Sequence, residues 1–196
     1  MFDRLTSEVS LSILIAILSI MTAFASYQSA AIDSTSGDNR ATAMSILADS
    51  NYDSMWELSS LQDDLFFLNQ AVLYADIDPE FADIAFENMT EGAQLAFGSE
   101  DEEALNTFFA ESFSGSNDKW DEAQARLASA AEDSNRATAY QLTVMIMAVG
   151  VSFAAWASLA EEKGLSRRVF TLLSILCLII GTIQMLSIPP NLVVIG

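Results

Sequence analysis

Charged residues are missing from three stretches of this chain. Val9 to Ala30, Ala139 to Leu159 and Val169 to Ile188 contain no Asp, Glu, Lys or Arg. Each has about the 20 residues that a helix needs to cross the hydrocarbon core of a bilayer. Between the first and second lies a polar, acidic stretch, residues 31–138, patterned at helical period. The expected fold is an all-α integral membrane protein. It has three transmembrane helices, at 9–30, 139–159 and 169–188, and an acidic extracytoplasmic helical domain extending the first and second spans as an antiparallel hairpin. A signal peptide is the competing reading of the first stretch. Its apolar run is longer than the ~7–15 residues of a signal core and only Arg4 precedes it, although "ASYQSA" supplies small residues for cleavage.

Small residues recur in the first span at Ser12, Ala16, Ser19, Ala23, Ser26 and Ala30, in steps of four and three. That is a heptad seam. Lipid gives helices no hydrophobic reason to associate, so backbones approach over small side chains. Ala148, Val151, Ala155 and Ser158 form a matching series in the second span, and the two seams are expected to face each other; packing against another subunit is the alternative. Beyond the first span the spacing continues through Met44, Leu47, Asn51, Ser54, Leu58, Leu61, Leu65, Leu68, Val72 and Ala75, predicting an amphipathic coiled-coil helix over about 39–76 with a pause at "DSTSGD".

In "DIDPEF", Asp78 suits an N-cap and Pro79 a first helical position, opening a second helix over 79–97. Ser99 and Glu102 read as a capping box for a third over 100–112. "SGSN" reads as a flexible turn. A fourth helix, 118–138, carries Trp120, Ala123, Leu127, Ala130, Ser134 and Ala137 on one face and runs into the second span. Eight of the twelve phenylalanines lie between Phe66 and Phe113, the expected core of a small helical head. An exposed patch among them would mark a docking surface.

Charge orients the chain. Arg4, Lys163, Arg167 and Arg168 flank the spans in short segments, which places residues 1–8 and the basic loop 160–168 in the cytoplasm. Residues 31–138 and the tail 189–196 are then extracytoplasmic. The net charge of −19 falls entirely on 31–138, where 23 acids meet four bases. Such a surface repels nucleic acid and suits cations or a basic partner. Membrane lipids, other membrane subunits or a homo-oligomer are the remaining expected partners.

The phrase "NRATA" occurs twice, at 39–43 and 135–139. If the first two spans are antiparallel with Tyr27 and Tyr140 at one edge, facing residue numbers sum to about 168. Arg136 then lies beside Asp33, and Arg40 about one turn from Glu132. A structural clasp of Asp33 with Arg136 and Arg40 with Glu132 follows as an expectation, setting register more than stability. Arg136 snorkelling to lipid phosphate is a second reading, and chance repetition of good helix formers a third.

Candidate chemistry is sparse. The chain has no histidine, and its one cysteine, Cys177, lies in the third span. It has no phosphate loop, dinucleotide fingerprint or twelve-residue calcium loop. Its spans lack the ionisable groups usual in pumps and ion-coupled transporters. The expectation is a protein that is not an enzyme and has no cofactor, catalytic residues or metal site. The leading reading is an accessory subunit or self-assembling scaffold; the alternatives are an extracytoplasmic sensor or ligand-binding module and, behind it, an oligomeric channel or transporter component.

The segments "AILSIMTAFASYQS", "NRATAMSILADSNYDSMWELSSLQ" and "DSNRATAYQLTVMIMAVGVSFAAWASLAEEKGLSRRVFTLLSILCLIIG" resemble a group of uncharacterised bacterial three-span membrane proteins. Those proteins have one N-terminal span, an extracytoplasmic helical region and two C-terminal spans joined by a basic turn. The resemblance implies that topology and a bacterial inner (plasma) membrane, and no activity.

Overall fold

The computed structural model describes residues 6–99, 101–161 and 164–189; Arg4, Glu100, Glu162, Lys163 and the tail from residue 190 lie outside them. The described residues are 90% helical, and no strand occurs among them. Its helices are α1 (Glu8–Tyr74), α2 (Pro79–Glu87), α3 (Glu91–Gly98), α4 (Glu102–Glu111), α5 (Ser114–Leu159) and α6 (Leu165–Ser187). Three of them, α1, α5 and α6, are long and apolar enough to cross a membrane. Contacts divide the chain into a first unit, residues 1–39 and 128–196, and a second, residues 40–127.

In the first unit the usual polarity of a protein is reversed. Val9, Ile13, Ile20, Ile183 and Leu186 are exposed, whereas Ser29, Ser36, Thr143, Arg167, Thr171 and Ser174 are buried. Helices that meet lipid keep their apolar side chains outward and turn small or hydrogen-bonding groups toward each other. Ser29 donates from Oγ to the Ala137 carbonyl (3.1 Å), and Ser36 does the same to Ala130 (2.7 Å). Both pairs sum to 166, so α1 and α5 run antiparallel here with no slip over one heptad.

The seam expected along the first span is displaced. Ser12, Ala16, Ser19, Ala23, Ser26 and Ala30 are exposed, and the buried line is Leu11, Leu18, Ala25 and Ile32, one residue away from three of those positions. Likewise Ala148 and Ser158 are exposed and Ala155 half-buried, while Thr143, Met147, Ala154 and Ala157 are buried. The reason is that large side chains sit over glycine instead of small over small. A Cβ on Gly150 would stand 2.9 Å from Cys177 Cβ and 3.2 Å from Leu18 Cδ2. The Met147 side chain packs against Gly181 in the same way. Ser174 Oγ donates to the Gly150 carbonyl at 2.9 Å, which the missing side chain leaves accessible.

Arg167, expected in the basic loop 160–168, lies in the first turn of α6 and is only 2% exposed. Its Nε donates to the Thr6 carbonyl (2.8 Å) and its Nη1 to the Ala160 carbonyl (3.4 Å). The latter oxygen follows the end of α5, where carbonyls lack helical donors and a cation is favoured. The guanidinium thus ties the entry to α1 to the exit of α5.

Several element boundaries also depart from expectation. "DSTSGD" does not interrupt α1, since its Ser and Thr residues turn hydroxyls onto helix carbonyls, as Thr35 does to Ala31 and Ser36 to Ala130. The helix expected over 79–97 is split between Glu87 and Glu91 by the cap at Thr90. Asp101, whose Oδ1 accepts from the Glu103 amide (3.0 Å), caps α4 in place of the Ser99 box. "SGSN" is the first turn of α5. The fully buried residues of α2 and α3 are Ala82, Ala85, Ala93 and Ala96. The phenylalanines of this unit do not fill a core: Phe97 meets Phe108 edge-on at 5.6 Å with both rings half-buried, and Phe66, Phe81 and Phe109 stay exposed.

Two glycines separate packing from propensity. Gly150→Val should lower the apparent melting temperature in detergent, because overpacking a tight contact costs about 1–3 kcal/mol. Gly37→Ala should raise it, since nothing lies within 4 Å of the new methyl and alanine gains about 1 kcal/mol over glycine inside a helix. Equal shifts in the two variants would contradict the close approach at Gly150.

Candidate functional site

The second unit holds two carboxylates on α1 one heptad apart, and each meets the start of another helix. Asp64 is buried; its Oδ1 accepts from the Thr90 amide (2.6 Å) and its Oδ2 from the Thr90 hydroxyl (2.7 Å). Thr90 is itself the N-cap of α3, accepting from the Ala93 amide. Glu57 accepts from the amide (3.2 Å) and hydroxyl (2.5 Å) of Ser116 in the first turn of α5. A Cβ on the neighbouring Gly115 would come within 2.9 Å of Glu57 Oε1, so glycine gives the carboxylate its approach. Helix starts expose unpaired N–H groups and favour negative charge.

A cleft of about 260 Å³ lies along these joints, lined by Glu57, Ser60, Asp64, Thr90, Phe108 and Glu111. All four oxygens of Glu57 and Asp64 already accept hydrogen bonds, and no basic or thiol group lines the cleft to act with them. Among the described residues no three of His, Cys, Asp and Glu gather as a metal would need. The arrangement fixes α3 and α5 against α1; chemically it is a joint.

Part of what this unit leaves uncovered is apolar. Met44, Met55, Leu58, Leu65 and Val72 are exposed along α1, Met55 by 72% and Val72 by 70%. Nearby, a groove of about 180 Å³ is lined by Phe66, Phe67, Gln70, Phe81, Ile84 and Asn88. The unit carries nineteen acids against three bases, a balance of −16. Two of the bases are paired. Lys119 Nζ lies 2.6 Å from Asp53, whose hydrogen bond holds the lysine pKa above its ordinary value, and Arg126 pairs with Glu122 at 3.0 Å.

The residues of the expected clasp lie elsewhere. Arg136 gives Nη1 to Asp133, three residues before it on α5, at 3.5 Å, and Nη2 to the Pro189 carbonyl at 2.7 Å. Asp33 is exposed. A register of 166 instead of 168 sets residue 30 opposite Arg136, and Asp33 points away from the seam. Arg40 and Glu132 are exposed and belong to different units.

The polar groups that do organise the chain lie on a face of α1 next to its apolar stripe. Ser29, Ser36, Ala43, Ser50, Glu57 and Asp64 recur every seven residues, and five of the six carry a hydrogen-bonding side chain. That spacing was the available signal.

Asp64→Ala should destabilise the second unit by about 1.5–3 kcal/mol, the usual loss for a charge-assisted bond. It should also speed hydrogen exchange at the amides of Thr90 and Ala93. Asp64→Asn, with one acceptor oxygen left, should lose less, and the exposed neighbour Asp63→Ala close to nothing. An equal effect at Asp63 would remove the capping role.

Comparison of the chain with protein-family models, with curated proteins and with solved structures found no match.

Proposed function

We propose that this chain is a non-enzymatic component of a membrane assembly, an accessory subunit or a self-associating scaffold. In this reading its three apolar helices anchor it in a bacterial inner membrane, and residues 31–138 form an acidic head on the outer side, built as an antiparallel hairpin. The observation that supports this most is the uncovered apolar line on α1. Met44, Met55, Leu58, Leu65 and Val72 fall in steps of eleven, three, seven and seven, with Ala48, Asn51, Gln62 and Asn69 completing a four-three repeat. A repeat of that kind is what a partner helix packs into. Apolar side chains in a row on so charged a head lower its solubility unless something covers them.

Polarity argues in the same direction. Glu57 and Asp64, which line the cleft on α1, already spend all four of their oxygens on holding helix starts. The second unit carries nineteen acids against three bases, so the partner this line suits is a helix with an apolar stripe and basic flanking residues.

Purification in mild detergent tests this. The native chain should run with a partner or as an oligomer. Leu58→Gln combined with Leu65→Gln should abolish that association without lowering the melting temperature of the chain, because these side chains are already 46% and 42% exposed. A solitary native chain, or association that survives both substitutions, would defeat the reading.

A further inference from the structure

The uncovered line on the second unit's part of α1 has a counterpart in the first unit. The four-three repeat that runs through Met44, Leu58 and Val72 keeps its phase in the sequence back to Ile13. Ile13, Ala16, Ile20 and Ala23 open it, and Ser34 and Gly37 carry it past the end of the charge-free stretch at Ala30. Every position of the repeat from Ile13 to Gly37 is exposed. Helix α1 has nine charged residues, and none of them falls on the repeat.

Up to Ala30, lipid alone accounts for an exposed face without charge. Beyond Ala30 it does not. Asp33, Asp38 and Arg40 show that α1 has left the charge-free stretch, yet the repeat stays uncharged and its members are small. Gly37 has no reason within the chain: a Cβ there would meet nothing within 4 Å, and glycine weakens a helix interior relative to alanine. A missing side chain on an exposed helix face lets a second backbone come close.

Charge selects the occupant. Asp33 and Asp38 are exposed and flank the repeat on opposite sides. Two copies of this chain inserted in the same direction would run parallel, and these are the flanking positions that meet across such a seam, acid against acid. A different helix with Lys or Arg at that level meets both favourably.

We infer that this line seats a membrane-spanning helix of another protein, uncharged on the face that meets Ile13 to Ala30 and basic where it passes Asp33 and Asp38. The inference rests on the reading of the chain as a component of a membrane assembly and narrows it. The partner crosses the membrane beside α1 and does not touch the acidic head alone.

A photoreactive residue is placed singly at the exposed flanking positions Ile17, Ala31 or Tyr52 of the full chain in its native membranes, with exposed Ile183 of α6 as control, and adducts are mapped by mass spectrometry. Ile17 should join a charge-free stretch of about 20 residues in a partner chain, and Ala31 the Lys- or Arg-bearing segment next to it in the same chain. Ile183 should give no adduct with that chain. Asp33→Lys combined with Asp38→Lys should cut the Ile17 adduct about tenfold, because like charges then meet. Gly37→Leu should cut it as much without lowering the melting temperature of the chain. An Ile17 adduct between two copies of this chain, or with a charged, water-soluble segment, would overturn the inference. So would native adduct yield in Gly37→Leu. An adduct at Tyr52 with none at Ile17 would overturn it while leaving the head's partner in place; absence at both would overturn the two readings together.

Discussion

Everything in this fold depends on one line of side chains along α1. Positions 29, 36, 43, 50, 57 and 64 are Ser, Ser, Ala, Ser, Glu and Asp, and each polar member is hydrogen-bonded to another element. Their chemistry changes with what they meet. Beside the body of α5, carbonyls are available and serines donate to Ala137, Ala130 and Ser116. Beside the starts of α5 and α3, free amides are available and carboxylates accept. Ser116 marks the change: its carbonyl takes the Ser50 hydroxyl at 2.8 Å, and its amide donates to Glu57, one heptad on. Each such bond contributes modestly, about 0.5–1.5 kcal/mol when neutral. Repetition every seven residues is what specifies the register.

A seam made of small and polar groups leaves the large apolar side chains facing outward. In the first unit that suits helices surrounded by lipid. In the second unit it creates the exposed methionine and leucine line on which the proposed association rests. The same choice of seam thus accounts for an apolar exterior in two settings. Glycine completes it where three helices meet, as Leu18 and Cys177 close over Gly150.

The helical class and the three apolar segments were legible in the sequence because they depend on length and composition alone. The buried face was not, and the miss has a physical form. Met44, Leu58, Leu65 and Val72 look like a core stripe, and Ser12, Ala16, Ser19 and Ala23 look like a membrane seam. The inward-facing lines are next to them: Ala43, Ser50, the half-buried Glu57 and Asp64, and Leu11, Leu18 and Ala25. One residue on a helix turns the face by about 100°. Hydrophobicity does not reveal which face is buried when the burying interactions are hydroxyl-to-carbonyl bonds and close backbone approach. Asp64 and Glu57 could not be assigned for a related reason, since their partners at Thr90 and Ser116 are distant in sequence. Arg167 looked like a loop charge because the carbonyls it meets, at Thr6 and Ala160, are not encoded by residue type.

Disulfide crosslinking tests the register directly. With Cys177 replaced by serine, cysteines at Ala43 and Ala123, whose numbers sum to 166, should oxidise readily to a disulfide within one chain. Cysteines at Met44 and Gln124, which sum to 168, should not. Crosslinking of the second pair in preference to the first would contradict the seam from which the rest of this account is built.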